Sequence, residues 1–429
     1  MIQALRGMKD ILPPESSLWG KLQGLASSVF SSFGYQLVIT PIVEKTELFV
    51  RSVGEGTDVV SKEMYVFTDR GGESICLRPE GTASIMRAYL NDPEAKSRSL
   101  KAWYWGPMFR YERPQKGRYR QFHQFGVEAI GSNSPYIDAE LIYMLDVFYK
   151  KLGINDVRVE LNSIGCELCR PSYKDELVKY LKSNEDKLCN DCKNRINTNP
   201  LRVLDCKVEN CSKIINGAPI IQDFLCAECN SHNDVVLAAL NSCGVKYSKN
   251  PLLVRGLDYY SRTVFEFISD KLGGRQNALG GGGRYDDLSA QIGGQKIPSV
   301  GYAGGVERTV LFMPELDVKA VTVYVAALDQ ESLNSLAPII YECKKLCIDK
   351  EVLFIDDDFK ARDIKKHLSR ADKLGARFAL IVGTNELNSS SLVIKDLVEK
   401  KESKIDVKYN EVEFTAKLIV GRMLEEKNS

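Results

Sequence analysis

The chain is poor in histidine and tryptophan, with three of each in 429 residues, and its formal net charge is only +1. No apolar run approaches the roughly 18 residues that a membrane-spanning helix needs. The opening MIQALRGMKDILPP has no apolar signal core. A cytoplasmic chain without a membrane partner is therefore expected. With 58 Lys and Arg against 57 Asp and Glu, no global basic field advertises nucleic-acid binding, so only local patches can supply it. Histidine chemistry has little to work with. His123 lies one residue off a polar strand face and is expected to pack inward, whereas His232 and His367 lie in polar segments; no histidine-based triad or relay is supported. Gly280–Gly283 is followed by no Lys–Ser/Thr pair, which excludes a P-loop, and it does not form G-x-G-x-x-G in a βαβ unit. There is no internal repeat.

What is present points to two or three domains, since domains run to about 100–200 residues. At 44% hydrophobic the chain can build real cores. Leu18, Leu22, Leu25, Val29 and Phe33 make a helical stripe over Ser16–Gly34, followed by a short strand at Tyr35–Thr40. Thr82 is placed to cap a helix running to Leu90. Trp103–Gly131 reads as two strands joined by a basic loop. Met108, Arg110 and Glu112 share a face on the first; Gln124 and Glu128 share one on the second, opposite the apolar Phe125, Val127 and Ala129. A helix around Ala139–Lys151 and a strand at Val157–Leu161 follow. From Cys166 to about Lys249 the composition turns to Lys, Asn and Cys, which reads as an insertion. Strand-like sequence resumes at Pro251. Beyond Pro314–Lys319, alternating strands (Val321–Leu328, Val352–Asp356, Phe378–Val382, Val393–Ile394) and helices (Gln330–Cys347, Ile364–Leu374, Thr415–Glu426) predict a separate α/β domain.

Several polar residues sit where apolar neighbours draw them inward: Arg78 and Glu80 in a PEG turn; Arg255, Asp258, Tyr259 and Tyr260 between LLV and VFEF; Arg284 and Tyr285 after four glycines; Glu307 and Arg308 after Gly304–Gly305. Arginine forks pair bidentately with oxygen anions, and glycines let backbone approach a ligand closely. Arginines and carboxylates among glycine-marked antiparallel strands suit a nucleotide together with an amine-bearing acid.

The hairpin FRYERPQKGRYRQFHQFGVE, with LRPEGTA, LVRGLDYYSRTVFE, GGGRYDDL and VGYAGGVERTVL, resembles the histidyl-tRNA synthetases, which are class II aminoacyl-tRNA synthetases. RGMKDILP and GYQLVITPIVE are similar to that family's N-terminus and motif 1. LVRGLDYYSRTVFE is the specific signal, peculiar to the histidine enzymes. The resemblance implies an α+β fold: an antiparallel-sheet catalytic core in two parts (1–165 and 251–318), a helical Cys-rich insertion (166–250) and a C-terminal α/β anticodon-binding domain (319–429), in a homodimer. It implies ATP and Mg²⁺, with L-histidine and tRNA(His) as partners.

It also implies roles. Glu80, Gly81 and Thr82 would hold the histidine α-amino group, with Gln124 a further histidine contact. Glu128 would face the imidazole, and Tyr259 and Tyr260 would line the side-chain pocket. Arg110 and Arg255 would be catalytic and touch both substrates, Arg110 at the α-phosphate. Glu112 and Phe122 would lie near adenine, Arg118 and Arg308 at the γ-phosphate. Arg113 and Gln115 would reach the tRNA acceptor end.

The cysteines stand apart from these motifs. Nine of the twelve fall in Cys166–Cys243, eight of them in the close pairs Cys166/Cys169, Cys189/Cys192, Cys206/Cys211 and Cys226/Cys229. That spacing suits one or two structural Cys₄ zinc sites, against the alternative of reduced thiols, and spacing alone does not fix the pairing. Lys360, Arg362, Lys365, Lys366, Arg370 and Lys373 form a basic run, read beside such a core as a phosphate-contacting face for the anticodon arm. Two other readings are a histidine-binding regulatory subunit of the histidine-biosynthetic phosphoribosyltransferase, and a zinc-dependent nucleic-acid-binding module without catalysis.

Overall fold

The structure, a computed structural model, describes residues 2–428 except 55, 56, 58, 116, 256–258, 270, 272–276, 315–320, 349–351 and 356–358. Two compact units divide it, Met1–Glu315 and Leu316–Ser429. The expected domain limit at 318/319 lies outside the described residues.

The first unit is built on an eight-stranded sheet. In spatial order its strands are Gln36–Leu37, Leu100–Phe109, Gln121–Ile130, Ser299–Gly305, Ala278–Arg284, Ser261–Ile268, Arg158–Ser163 and Tyr247–Lys249. The six central strands pair antiparallel, and each short edge strand adds in parallel. Leu100–Phe109 and Gln121–Ile130 pair over ten residues, with Met108 opposite Phe122, Tyr104 opposite Gly126 and Ala102 opposite Glu128. This register puts Gln124 and Glu128 on one face and buries Phe125, Val127 and Ala129 in the core behind the other. Arg110 and Glu112 lie beyond the strand's last residue, so the face expected to run from Met108 to Glu112 ends at Met108.

Helices Glu15–Ser32 and Pro135–Lys151 cover the apolar face. The first buries Leu22, Ala26, Val29 and Phe30, the i, i+4, i+7, i+8 stripe of a core-facing helix. This is rotated slightly from the expected stripe, leaving Leu18, Leu25 and Phe33 partly exposed. Between Ser163 and Tyr247 the chain forms four α-helices, Arg170–Ser183, Asn190–Thr198, Glu209–Ile215 and Ala227–Ser242. Apolar residues of the first three join one cluster with Tyr259, Tyr260 and Tyr285, whereas Val236, Leu237 and Leu240 of the fourth join the core behind the sheet.

A buried ionic knot ties these layers together. Asp138 and Arg284 are both fully buried and pair at 2.6 Å. Asp138 also accepts from Thr263 Oγ1 at 2.7 Å and lies 2.8 Å from His232 Nε2, while Arg284 donates to the Ser132 carbonyl. His232 is thus a buried partner of Asp138, not a residue of a polar segment as its neighbours suggest: Val236 and Leu240, one and two turns on, carry that helix face inward.

The second unit has a five-stranded sheet in the order Val352–Ile355, Val321–Ala327, Phe378–Val382, Ser391–Asp396, Glu402–Asp406, the first three parallel. Helices Gln330–Leu346, Ile364–Lys373 and Val412–Asn428 belong to it. His367 is buried too, between the Tyr324 hydroxyl and the Ala327 carbonyl, each at 2.9 Å. The mixed α/β architecture, with an antiparallel-rich core sheet and a C-terminal sheet unit, is the one expected.

Asp138→Ala should destabilise the protein by about 3–5 kcal/mol, because it strands a buried guanidinium. The measurement is the denaturant midpoint. A loss under about 0.5 kcal/mol, the scale of a surface change, would contradict the knot's role.

Candidate active site

The polar face of the eight-stranded sheet carries a cavity of about 430 Å³. Its walls include Glu80, Thr82, Gln124, Tyr259 and Tyr260 together with Arg110, Glu112, Arg118, Phe122, Arg255 and Arg308. Motifs separated by more than 200 residues therefore meet in one concavity.

The local reasons differ from residue to residue. Glu80 is buried and its two carboxylate oxygens accept from the backbone N–H groups of Thr82 (2.8 Å) and Ala83 (2.9 Å), so it caps helix Thr82–Asn91. Thr82 is not the cap the sequence suggested. Its hydroxyl donates instead to Glu128 at 2.7 Å. Burial raises the Glu80 carboxyl above its ordinary range, against the bonds that favour its charge. Gly81 lies against the Tyr104 ring, where a side chain would collide.

Glu128 is fully buried and does not line the cavity. It accepts hydrogen bonds from Thr82 and from the Tyr285 hydroxyl and reaches the cavity wall through Thr82. Burial pushes its carboxyl up to about 8, with the nearby Glu80 adding to the rise and the two hydroxyls opposing it. The Tyr259 ring lies 4.7 Å from that of Tyr260, tilted by 47°, and meets Tyr285 edge-on at 5.7 Å. Burial holds all three phenols neutral.

Arg255 is paired with Glu266, the last residue of LVRGLDYYSRTVFE, which the sequence reading did not single out. Burial opposes the charge of Arg255, but Glu266 and then Tyr260 outweigh it and hold the guanidinium above its ordinary value. The position depends on glycine: a Cβ at Gly281 would lie 2.4 Å from the Arg255 guanidinium carbon, and one at Gly301 would fall on the Glu128 carboxylate. The glycine run is thus strand interior serving as a floor, not a turn. Two buried atoms, Gln124 Oε1 and Arg255 Nε, have no hydrogen-bond partner among the described residues, as expected of groups that await a ligand.

Arg110 donates from Nε to the Pro79 carbonyl at 2.9 Å and lies 5.4 Å over the Phe122 ring. Glu112 stands 3.9 Å from Arg110 and 3.5 Å from Arg118. Arg308 donates to the Ala278 carbonyl. Burial, then the nearby Arg118 charge, depress the Arg308 pKa. Two guanidinium groups that repel each other in one cavity favour a polyanion between them. Arg113 and Gln115 are exposed on the connecting loop and do not line the cavity, and Asp258 lies outside the described residues. Glu307, Asp205 and Lys207 do line it and were not singled out as site residues from sequence. Glu307 accepts from the His123 backbone N–H at 2.9 Å; the His123 ring packs edge-on against Trp19, inward as expected.

A histidyl-tRNA synthetase family model matches residues 7–309, and an anticodon-binding domain model matches 322–415. The chain belongs to the histidyl-tRNA synthetase family. Among the synthetase's relatives, the histidine–tRNA ligase of Halothermothrix orenii is 46% identical over 92% of this chain and 94% of its own. That of Desulfosudis oleivorans is 45% identical over 94% and 96%. The crystal structure of the apo Staphylococcus aureus histidyl-tRNA synthetase superposes with a TM-score of 0.77 at 32% identity, covering 97% of this chain and all of that one. A Bacillus halodurans protein described as an ATP phosphoribosyltransferase regulatory subunit/histidyl-tRNA synthetase, 19% identical with a TM-score of 0.61 over 86% of this chain and 96% of its own, shares the fold.

The eight paired cysteines of the insertion form two nested sets. Cys166, Cys169, Cys226 and Cys229 make one; Cys189, Cys192, Cys206 and Cys211 make the other. Within each set all four sulfurs lie within 4.8 Å of one another.

Glu128 keeps its proton to about pH 8 in the folded chain, whereas an ordinary glutamate, as in the unfolded chain, keeps it only to about 4.5. Between those values unfolding therefore sheds a proton that the folded chain retains. This group's contribution to stability falls as pH rises from about 4.5 to 8 and is flat above. Glu128→Gln should flatten the decline in denaturant midpoint across that window; an unaltered slope would refute the assignment.

Proposed function

We infer that this synthetase joins L-histidine to tRNA(His) in two steps. The histidine carboxylate attacks the α-phosphorus of ATP and releases pyrophosphate. The terminal ribose hydroxyl of the tRNA then attacks the carbonyl of the histidyl-adenylate and releases AMP. The observation that carries this reading is the meeting of Arg255, Tyr259 and Tyr260, from the motif peculiar to the histidine enzymes, with Glu80, Thr82 and Arg110 on one cavity.

In this reading, Glu80 and Thr82 hold the amino group, with Gly81 keeping the turn close to Tyr104. Gln124, Tyr259 and Tyr260 enclose the side chain. Glu128 acts on the imidazole from behind Thr82, and the pocket's buried polar groups reject amino acids that leave them unpaired. Arg110 and Arg255 stabilise the charge that grows on the α-phosphate oxygens. Arg118 and Arg308 take the γ-phosphate, and Glu112 and Phe122 flank adenine. Mg²⁺ brought with ATP would help neutralise the phosphate charge beside Arg118 and Arg308. Arg113 and Gln115, exposed on the loop, meet the acceptor end.

The four-part organisation (1–165, 166–250, 251–318, 319–429) follows, with the last part reading the anticodon arm. The exposed Lys365, Lys366 and Lys373 of helix Ile364–Lys373 suit phosphate contacts there. Structural zinc in the two cysteine sets, a homodimer and a cytoplasmic location complete the proposal.

The first test is ATP–pyrophosphate exchange across all twenty amino acids. Histidine alone should support it. Arg255→Ala should lower the exchange rate roughly 10²–10³-fold while histidine affinity stays within several-fold. Exchange with no amino acid would overturn the ligase reading in favour of a histidine-binding regulatory protein, and near-normal rates in the variant would remove the catalytic role of Arg255.

A further inference from the structure

The two cysteine sets are nested in the chain, outer pair with outer pair and inner with inner. The outer set ties the exit from strand Arg158–Ser163 to the start of helix Ala227–Ser242, where the insertion returns to the sheet. The inner set closes a shorter loop, Cys189 to Cys211, farther along the insertion.

Their geometry suits a tetrahedral metal. Metal–sulfur bonds of about 2.3 Å give a tetrahedron with edges of about 3.8 Å. Cys166 lies 3.7 Å from Cys169 and 4.0 Å from Cys226, and Cys189 lies 3.9 Å from Cys206. These separations are far too long for a disulfide. In each set a backbone N–H points at a sulfur, Cys226 to Cys169 at 3.1 Å and Cys189 to Cys211 at 3.2 Å, the outer contact that steadies a metal thiolate.

The inner set has a neighbour that the outer set lacks. Cys206 is flanked by Asp205 and Lys207, and both line the 430 Å³ cavity that also holds Arg110, Arg118 and Arg308. Asp205 and Lys207 pair at 2.7 Å, and both side chains are more than half exposed. Their place on the cavity wall comes from the backbone of the loop that carries Cys206.

We propose that the inner set is a zinc centre that positions Lys207 as a phosphate-binding residue of the substrate cavity. This rests on the cavity being the synthetase's ATP site. A lysine ammonium at the wall adds a point charge to the arginine forks, and the metal would fix Cys206, between Asp205 and Lys207, beside the packing that Val203 and Leu204 already supply. Binding energy of the metal is then folding energy of that wall. The phosphate belongs either to ATP or to the 3′ end of the tRNA, and the two are separable because exchange requires only the first.

Metal content and kinetics test this together. The purified chain should hold two zinc ions, and cobalt(II) in their place should give the intense sulfur-to-metal charge-transfer bands of tetrathiolate sites at two per chain. Lys207→Ala should keep both metals and the histidine KM while raising the KM for ATP in exchange roughly tenfold, or leaving exchange unchanged and raising the tRNA KM to that extent in charging. The first result assigns the phosphate to ATP, the second to tRNA. Lys207→Arg should restore most of the loss. Cys211→Ser should lose one metal and show the same KM defect, without adding to it in the double variant. Wild-type values for Lys207→Ala in both assays would overturn the role of Lys207, and a metal-free, fully active chain would overturn the centre. Absence of histidine-dependent exchange in the metal-replete wild type would instead count against the ligase reading itself.

Discussion

The pairing of Asp138 with Arg284, both side chains fully buried, is the constraint from which the active face follows. Arg284 ends the strand that carries the glycine run, and its partners Asp138 and Ser132 stand in and before the helix behind the sheet. Two buried charges so placed tolerate no sliding, since a shift of one residue would both uncouple them and turn every side chain of the strand to the opposite face. The register they hold sets Gly281 beneath Arg255, and the neighbouring strand's Gly301 beside Glu128. With any other residue in either place, the arginine or the carboxylate would have to leave.

Above that floor the charges are arranged in unequal company. Arg255 has a carboxylate of its own, Glu266, and remains firmly cationic. Arg308 is depressed by burial and then by the neighbouring Arg118 charge. Glu128, without a cation, keeps its proton and two hydroxyl donors. A cavity with surplus positive charge at one part and a neutral, hydrogen-bonding carboxyl behind another is suited to separate a polyphosphate from a small amino acid. Because the groups are already held in place, little reorganisation remains for the moment of reaction.

Much of this was legible in the chain. Period-2 alternation placed Gln124 and Glu128 together and sent Phe125, Val127 and Ala129 to the core, and three helices of the C-terminal unit were readable to within a few residues at each end, whereas the short Thr384–Asn388 was not. Other features left no local trace. Strand Glu402–Asp406 is an edge strand with polar residues along it, so no apolar alternation marked it. His232 and His367 have polar neighbours in sequence, yet both are buried, the first on Asp138 and the second between Tyr324 and Ala327. Thr82 looked like a cap because threonine commonly is one, yet Glu80 satisfies the helix's free N–H groups and releases the hydroxyl for Glu128, forty-six residues away.

The amino-acid sequence by itself determined the class of protein, the order of its parts and most of the residues on the cavity, because those reside in short motifs and in periodicities of two and 3.6 residues. The partners of those residues were decided only by the tertiary structure: Glu266 for Arg255, Tyr285 for Glu128, Asp138 for Arg284, and which cysteines stand together. The physical reason is that a buried charge or thiol is settled by whatever the fold brings within about 3–4 Å of it, and spacing along the chain sets no such distance once the pairs are tens of residues apart.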